Sequence, residues 1–499
     1  MPAEGYLLGW DVGSGTCRCL LVDGQGQQVA LSRGRARTMA VEGVPGSWEF
    51  DHRQMWETFV GLTREALQAV PAERVLALSV TSFRDGMVFL DAQGEVLYAG
   101  TNRDGRAVAQ GFEMAQRHGE AIYRRTGRWP LGMDGAAHLL WMRKSRPDVY
   151  QAIDKVLMVG DWLLYRLCGV YCSEPTNASS SLLFDVGQRR WSAEIAGLLE
   201  LPLEIFPPVF TPGAVVSGLS HNAATELGLV YGTPVVVGLA DTQAACLACG
   251  ALNEGDTVAI AGTTMPLQMT VAEPLMDEEH RTWTGAHALE GLWSLESSAG
   301  LAGIAYDWLW EAFGDGETSA QAYALLSAEA EKERPGSVIS FVGPWIADHG
   351  RLQFPPRVGF LAPFPMTLDP PLTRAKMARA VLENIAFALL GNLAQLEEIS
   401  GKTVESLSVC GGLSKSKVFN QTVADVCQIQ LWVPEESESS ALGAVMCAAV
   451  GAQVYDDLAQ AARAMGQRGE VVEPDPVLRG TYRTLYKRWL KTYRTLLRG

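Results

Sequence analysis

The sequence predicts an α/β protein in which two related lobes enclose a cleft. The chain has 499 residues, which is too long for a single hydrophobic core. An apolar segment ends in a turn of small residues at 11–16, and the same arrangement returns at 262–264. Strand-type segments followed by helical ones open each half, which is typical of α/β lobes rather than of helical bundles.

The first half alternates between strand and helix patterns. Two of its early strands are joined by an Asp-Gly turn, which favours a hairpin. A proline-rich segment is predicted to be a rigid connection rather than a helix. In chain order we expect strands at 6–10, 17–22 and 28–31, a helix at 51–70, strands at 75–80, 87–90 and 96–99, a mainly helical region at 110–170, the rigid connection at 202–212 and a strand at 235–239.

The second half repeats this order, and we divide the chain into lobes of residues 1–249 and 250–499. The basic tail alternates charged residues with Leu and Tyr, which indicates a solvated packing helix rather than a nucleic-acid surface. In chain order we expect strands at 257–261, 267–271 and 291–297, a helix at 299–313, long helices within 373–399, a strand at 406–409 and the helical tail at 476–499.

The composition excludes several classes of partner. A formal net charge of −15 disfavours nucleic acid and anionic membranes. No signal-peptide pattern opens the chain and no uninterrupted apolar run approaches the ~20 residues of a membrane span, so we expect a cytoplasmic protein. The nine cysteines include pairs at 246/249 and 168/172, both in apolar segments without a nearby His. This setting favours buried reduced thiols over a zinc or redox site.

The small-residue turns are candidates for phosphate binding. Glycine lets the backbone approach an anion closely, and the free N–H groups and hydroxyls can bind its oxygens. Three such turns, at 11–16, 262–264 and 411–414, follow predicted strands, where ligands gather in open α/β sheets. None matches the P-loop or the dinucleotide-binding pattern. One such turn alone is more often a plain hairpin, but two in different halves indicate a phosphate held between lobes.

Two polar groups at predicted strand ends are candidates for chemistry. Asp241 follows the apolar strand at 235–239 and is placed to take a proton from an alcohol, or to cap the next helix, and the two roles are compatible. Arg84 and Asp85 follow the strand at 75–80, where a cation and a carboxylate suit the hydroxyl pair of a polyol. Alternatively, Arg84 and Asp85 form a surface ion pair that stabilises the fold by about 0–1 kcal/mol. A further polar group, Asn102 with Asp104 and Arg106, by itself indicates a loop.

Motifs along the whole chain resemble those of the FGGY carbohydrate kinases, which belong to the superfamily of sugar kinases, Hsp70 and actin. The matching segments are Gly9-Trp-Asp11-Val-Gly13-Ser-Gly-Thr16-Cys-Arg18, Asn102-Arg-Asp104-Gly-Arg106, Gly160-Asp161-Trp162-Leu-Leu-Tyr165, Thr176-Asn177-Ala178-Ser179, Gly238-Leu-Ala-Asp241, Ala261-Gly-Thr-Thr264, Gly411-Gly412-Leu-Ser-Lys-Ser416, Gln421-Thr-Val-Ala-Asp425 and Glu438-Ser-Ser-Ala-Leu-Gly443.

The resemblance implies two ribonuclease-H-like lobes around a central cleft, and ATP-dependent phosphorylation of a sugar or polyol hydroxyl with Mg²⁺. By position, Asp241 would be the catalytic base and Asp11 would organise the metal. The first lobe would hold the acceptor, and the second mainly the nucleotide. The other implied contacts are Arg84, Asp85, Asn102 and Asp104 for the acceptor, Ser14, Gly15, Thr16 and Arg18 for the γ-phosphate, and Gly262, Thr263, Gly303, Asp307, Gly412 and Ser416 for the nucleotide.

Within the family, the pattern is most similar to that of the autoinducer-2 kinases. Asn102 replaces a tryptophan usual in the family, and the turn Phe83-Arg84-Asp85-Gly86 replaces the substrate turn of xylulose kinases. An acceptor related to autoinducer-2, a short polyhydroxy carbonyl compound, is therefore preferred. Xylulose, erythritol or glycerol-type kinases share most of these residues and are the alternative enzymes. The non-enzymatic alternative is a regulator that binds a sugar or a nucleotide. The sequence is compatible with a homodimer and does not decide the oligomeric state.

Overall fold

The computed structural model describes residues 5–13, 15–314, 316, 320–351, 358–363, 372–435, 438–466 and 469–498. Within these residues the chain forms 22 strands and 16 α-helices. The strands are β1 Tyr6–Val12, β2 Cys17–Asp23, β3 Gln28–Gly34, β4 Thr38–Met39, β5 Glu49–Phe50, β6 Val75–Ser82, β7 Met87–Leu90, β8 Val96–Gly100, β9 Lys155–Met158, β10 Phe184–Asp185, β11 Arg190–Trp191, β12 Val215–Gly218, β13 Pro234–Ala240, β14 Thr257–Ile260, β15 Pro266–Val271, β16 Trp283–Ala286, β17 Trp293–Ser298, β18 Ile339–Ser340, β19 Phe360–Leu361, β20 Ser406–Cys410, β21 Gln430–Val433 and β22 Glu470–Val472.

The helices connect these strands and cover the sheets. They are α1 His52–Ala66, α2 Val108–Thr126, α3 Gly135–Ser145, α4 Pro147–Ala152, α5 Val159–Cys168, α6 Pro175–Ala178, α7 Ala193–Leu198, α8 His221–Leu227, α9 Asp241–Ala248, α10 Ala302–Phe313, α11 Ala320–Glu331, α12 Arg374–Ser400, α13 Lys417–Cys427, α14 Ser439–Gly451, α15 Leu458–Met465 and α16 Arg479–Leu496.

The two large sheets share one topology. In the first, β1, β2 and β3 form an antiparallel meander, β6 lies parallel to β1, and β13 lies parallel to β6. In the second, β14, β15 and β17 form the meander, β20 lies parallel to β14, and β21 lies parallel to β20. This repeated strand order is that of a ribonuclease-H-like lobe, and the predicted two-lobed α/β fold is confirmed.

The central strands are buried on both faces, which explains their almost continuous apolar sequence. β1 is buried from Leu7 to Val12. On one side of it, Trp10 stacks on Phe59 of α1 with ring centroids 4.5 Å apart. α1 begins after Asp51, whose carboxylate accepts hydrogen bonds from the N–H groups of Arg53 and Gln54, as a good N-cap does.

The crossing of α9 and α14 joins the two halves of the chain. α14 comes from the second half but packs on β1, β6 and β13 of the first. A Cβ on Gly443 of α14 would lie 2.3 Å from the carbonyl oxygen of Ala244 in α9, so only glycine allows this close approach. One hydrophobic cluster therefore contains Val236 and Leu247 together with Val445. This cluster contains residues from both sides of the predicted division between residues 249 and 250. The position of that division stays a prediction.

The 27-residue helix α12 is the core helix of the second lobe. It is long and apolar enough to span a membrane by length and composition, but 89% of its most apolar stretch is buried within the protein. Leu382, Ile385 and Leu389 lie in the large cluster that also contains Trp489 of the C-terminal helix α16. The predicted tail helix thus contributes buried aromatic rings to the core.

The structure differs from the sequence-based expectation at short strands and at several helices of the second half. The helices α11, α13, α14 and α15 and the strands β21 and β22 are not predicted from the sequence. β9 lies inside the region 110–170 that was expected to be mainly helical, and β12 and β16 had not been predicted. These strands have four residues each, too few for an alternating pattern to be distinct. All nine cysteines are free thiols, and six of them are buried.

Candidate active site

Asp11 and Arg18 face each other at the end of the first hairpin. They are direct partners in the register of β1 and β2, and Arg18 Nη1 donates to Asp11 Oδ2 at 2.8 Å. The turn is closed by a hydrogen bond from Gly13 N–H to the Thr16 carbonyl, also 2.8 Å long. Gly15 and Thr16 are exposed on this turn, while Ser14 lies outside the described residues. The turn is thus both a hairpin and open to a ligand.

Glu438, immediately before α14, brings the second half of the chain to this hairpin. Its carboxylate lies 2.6 Å from Arg18 Nε and 2.9 Å from Arg33 Nη2. Burial raises the pKa of Asp11 to about 7, Arg18 opposes this shift, and the negative charges of Asp241 and Glu438 add to it. The first turn, Asp241 and α14 therefore meet in one place.

Asp241 is the first residue of α9, directly after β13. Because β1, β6 and β13 are parallel neighbours, Asp11, the turn after β6 and Asp241 all lie at the carboxyl edge of the sheet. Asp241 Oδ1 accepts hydrogen bonds from the Thr242 N–H at 2.7 Å and from the Thr242 hydroxyl at 3.1 Å. Among the described residues, Oδ2 has no hydrogen-bond partner. Burial raises the pKa of Asp241, and Arg84 opposes this shift.

Arg84 forms a buried ion pair with a residue of the second half. Its Nη1 and Nη2 donate to the two carboxylate oxygens of Glu296 in β17 at 2.5 and 2.9 Å. Gln268 Nε2 also donates to Glu296. Burial alone would raise the pKa of Glu296, but Arg84, Arg128 and Gln268 together hold it below its ordinary value. The pair is thus charged and does not lie on the surface.

Asp85 has a second guanidinium as its neighbour. Arg128 Nη2 lies 3.0 Å from Asp85 Oδ1, and the Arg128 side chain lies over the ring of Trp283. The Asp85 backbone is left-handed, with φ +67°, and its N–H donates to the Ser180 hydroxyl. An unusual backbone held by specific contacts is common at ligand sites.

Asp104 lies within a buried network. It is fully buried and bonds to Arg106, whose Nε lies 2.8 Å from Asp104 Oδ2, and to the Tyr98 hydroxyl at 3.1 Å. Burial alone would raise its pKa, but His138 and Arg106 lower it. Asn102 is half-buried and its Oδ1 has no partner among the described residues. The contact of either residue with an acceptor stays a prediction.

The predicted nucleotide turns meet because β14 and β20 are parallel neighbours. Ala261 N–H donates to the Cys410 carbonyl at 2.7 Å, and Gly303 N–H donates to the Gly262 carbonyl at 3.0 Å. A Cβ on Gly303 would lie 2.6 Å from that carbonyl oxygen, so glycine is required there. Gly412 has open space around it. The structure thus brings Gly262, Thr263, Gly303 and Gly412 together.

Asp307 and Ser416, also predicted to line the nucleotide, have partners within the protein. Asp307 accepts a hydrogen bond from the Tyr323 hydroxyl at 2.6 Å. Ser416 caps α13 by accepting from the Phe419 N–H, and its hydroxyl lies 2.9 Å from that of Ser327. Their contacts with nucleotide stay predictions.

The segment 174–181 links the parts of the site. The Thr176 hydroxyl donates to Glu174 and accepts from the N–H of Ala240, the residue before Asp241, at 2.7 Å. Ser179 and Ser180 accept from the N–H groups of Ala286 in β16 and of Asp85, both at 3.1 Å. This segment therefore fixes Asp241, the turn that contains Asp85 and the second half of the chain relative to one another.

Models of two consecutive domains match the chain. The N-terminal domain of the FGGY family of carbohydrate kinases matches residues 6–248, and its C-terminal domain matches residues 257–452. The chain belongs to the FGGY family of carbohydrate kinases. As a member, it is a carbohydrate kinase, which acts on a sugar-type and a nucleotide substrate.

Named relatives agree with this assignment. The kinase is 31% identical to an autoinducer-2 kinase of Salmonella paratyphi B, in an alignment covering 98% of this chain and 94% of the relative. A ligand-bound xylulose kinase from Lactobacillus acidophilus has 22% identity and a TM-score of 0.87, with 99% and 98% of the two chains covered. The glycerol kinase of Plasmodium falciparum with ADP has 20% identity and a TM-score of 0.82, with 98% of each chain covered. At these identities the two structures show the shared fold.

The residues of the kinase fit Mg²⁺ brought by a nucleotide. The buried carboxylate of Asp11 is a hard oxygen ligand, with two further carboxylates near it. Among the described residues, no group of three or more His, Cys, Asp or Glu side chains forms a metal site. Mg²⁺ commonly binds one or two carboxylates together with substrate phosphates and water, so Asp11 suits this arrangement.

Sequence reasoning missed the site residues contributed by the second half. Glu296 pairs with Arg84, Trp283 contacts Arg128 and Glu438 pairs with Arg18, although this part of the site is predicted to belong to the first lobe alone. Glu438 lies in one of the motifs shared with the family, but nothing in the sequence around Glu296 or Trp283 indicates their partners.

Proposed function

We propose that this kinase transfers the γ-phosphoryl group of ATP to a hydroxyl of a short, uncharged polyhydroxy compound, with Asp241 as general base. The proton leaves the acceptor hydroxyl for Asp241 Oδ2, the oxygen forms a bond to phosphorus, and the bond from phosphorus to ADP breaks. Asp11 would hold Mg²⁺, which neutralises charge on the phosphates. Glycine turns and one base suffice because phosphoryl transfer depends mainly on positioning and charge neutralisation.

The charge balance beside Asp241 supports an uncharged acceptor. Both guanidinium groups at the acceptor side are paired with carboxylates, Arg84 with Glu296 and Arg128 with Asp85. Asp241 adds one negative charge, so neither of these two guanidinium groups is free to neutralise an acidic sugar. Burial raises the pKa of Asp241, which makes it a stronger base.

The likeness to autoinducer-2 kinases supports a polyhydroxy carbonyl acceptor. Xylulose, erythritol and glycerol are the alternative neutral acceptors. Since ATP is a substrate, we also propose a cytoplasmic location.

An ADP-release screen over neutral and acidic acceptors tests the class of acceptor. The panel contains 4,5-dihydroxy-2,3-pentanedione, xylulose, erythritol, glycerol and gluconate. We expect kcat/KM for the best neutral compound to exceed that for gluconate at least about tenfold, because an unpaired anion beside Asp241 costs more than 1.4 kcal/mol. A preference for gluconate would contradict the proposed charge balance.

Asp241→Asn tests the base. We expect kcat to fall by about 10²–10⁴-fold, the typical contribution of a general base, while the KM for ATP stays within about twofold. Thr242→Ser, which keeps the hydroxyl that contacts Asp241, is the matched control. Acceptor-dependent ADP release by Asp241→Asn at the wild-type rate would refute its role.

A further inference from the structure

A stack of three side chains lies beside the Arg84–Glu296 pair. The imidazole of His349 stacks on the ring of Trp283, with centroids 4.0 Å apart and planes at 16°. The guanidinium carbon of Arg128 lies 4.1 Å from the Trp283 ring centre. Two groups this close to one ring centre must lie on opposite faces. We call Arg128, Trp283 and His349 the Trp283 stack. Because its two faces are covered, the indole can contact other groups only at its edge.

Three polar atoms around the stack have unused hydrogen-bonding capacity. Trp283 Nε1, His349 Nε2 and Asp85 Oδ1 are shielded from solvent, and none makes a hydrogen bond with the described residues. Asp85 Oδ1 lies 3.0 Å from Arg128 Nη2, a charge contact without hydrogen-bond alignment. Buried polar side-chain atoms nearly always have a hydrogen-bond partner, so three in one place indicate a position for oxygens of a ligand or of water.

The stack lies beside the Arg84–Glu296 pair, because Trp283 and Glu296 are direct partners in the register of β16 and β17. His349 interacts electrostatically with Glu296, Arg128 and Arg84, and Asp241 interacts with Arg84 and Asp85. Burial lowers the pKa of His349 to about 4, so its imidazole is neutral at physiological pH and one ring nitrogen can accept while the other donates. Trp283, Asp85 and His349 thus offer a ligand an indole N–H donor, a carboxylate acceptor and a neutral imidazole.

We propose that the Trp283 stack is the specificity-determining surface of the acceptor site, where Trp283 Nε1–H and Asp85 bind acceptor oxygens other than the one that is phosphorylated. This inference rests on the proposed function. Because both faces of the indole are covered, recognition is through the N–H at its edge and not through stacking on the sugar. The acceptor must therefore carry an oxygen at that position, as polyols and polyhydroxy carbonyl compounds do.

Trp283→Phe tests the stack, with Trp432→Phe as the matched control. Phenylalanine keeps an aromatic ring between Arg128 and His349 but removes the N–H donor. Loss of a neutral hydrogen bond changes binding by about three- to tenfold, so we expect the acceptor KM to rise by that factor and the KM for ATP to stay within about twofold. Trp432 is 37% exposed on β21, and its substitution should leave both constants unchanged.

Deoxy analogues of the best acceptor extend the test to the wild-type enzyme. One analogue, lacking a hydroxyl or carbonyl oxygen other than the phosphorylated one, should lose about tenfold or more in kcat/KM with wild type and much less with Trp283→Phe. This pattern would support the role of the Trp283 stack in acceptor specificity whichever acceptor in the panel is best. A preference for an acidic acceptor would contradict only the proposed class of acceptor. The inference is overturned if every such analogue performs within about twofold of its parent, or if Trp283→Phe raises both KM values equally.

Discussion

Burial decides how single carboxyl groups of this protein respond to pH. Glu174 is 2% exposed and accepts hydrogen bonds from Thr176 and Asn177, yet burial raises its pKa to about 7. A raised pKa means that the folded state binds the proton more tightly than the unfolded state does. Proton binding by Glu174 therefore stabilises the folded state. This stabilisation is complete below pH 4.5, the ordinary pKa of a glutamate, and is lost as the pH rises through about 7.

Glu174→Gln should remove this dependence. Between pH 4.5 and 7.5 the free energy of unfolding of wild type should fall relative to that of the variant, by at most about 3 kcal/mol, since one pKa unit corresponds to 1.36 kcal/mol. Melting temperatures of both proteins across this range measure the difference. Glu405→Gln, on an exposed side chain, is the control and should follow wild type. Parallel curves for wild type and Glu174→Gln would contradict the assigned pKa.

Among the structural elements, the junction of β13 and α9 positions Asp241, the proposed base. The Thr176 hydroxyl is the acceptor for the Ala240 N–H at this junction. Thr176→Val has nearly the same shape but leaves that buried N–H unpaired, which should cost about 1–3 kcal/mol of stability. We expect kcat to fall about tenfold with little change in the KM for ATP, because Asp241 follows directly.

Two further variants separate positioning from a general loss of stability. Thr176→Ser restores the hydroxyl and should restore kcat. Thr422→Val removes an equally buried hydroxyl whose one hydrogen bond with the described part of the chain is to the Val418 carbonyl of its own helix. It should lower the melting temperature without lowering kcat. Equal loss of kcat in Thr176→Ser and Thr176→Val would argue against a role for the hydroxyl.

At the scale of the molecule, the crossing of α9 and α14 holds the two lobes together. A Cβ at Gly443 would overlap the Ala244 backbone, and backbone cannot rotate away as a side chain does. Gly443→Ala should therefore destabilise the protein by about 1–3 kcal/mol, the usual effect of overpacking. It should also raise the KM values of both substrates, because α9 begins with Asp241 and Glu438 precedes α14.

Gly480→Ala is the control for this substitution. Gly480 also lies in a helix, but a Cβ there meets nothing within 4 Å. Alanine should stabilise that helix by about 0.5–1 kcal/mol and leave both KM values unchanged. Thermal melts and steady-state kinetics measure both variants, and a stabilising Gly443→Ala would rule out the close crossing.

Local patterns in the sequence are enough to predict the two lobes and the turns of the site. The turns at 11–16, 262–264 and 411–414 were visible because a buried strand ending in glycines and hydroxyls is a local pattern, and Asp241 stood at the end of such a strand. The parallel strands then bring these local features to one edge. Only the tertiary structure joined Glu296 to Arg84, Trp283 to Arg128 and Glu438 to Arg18. The partners lie more than 150 residues apart in the chain, and packing between the lobes, not local sequence, brings them into contact.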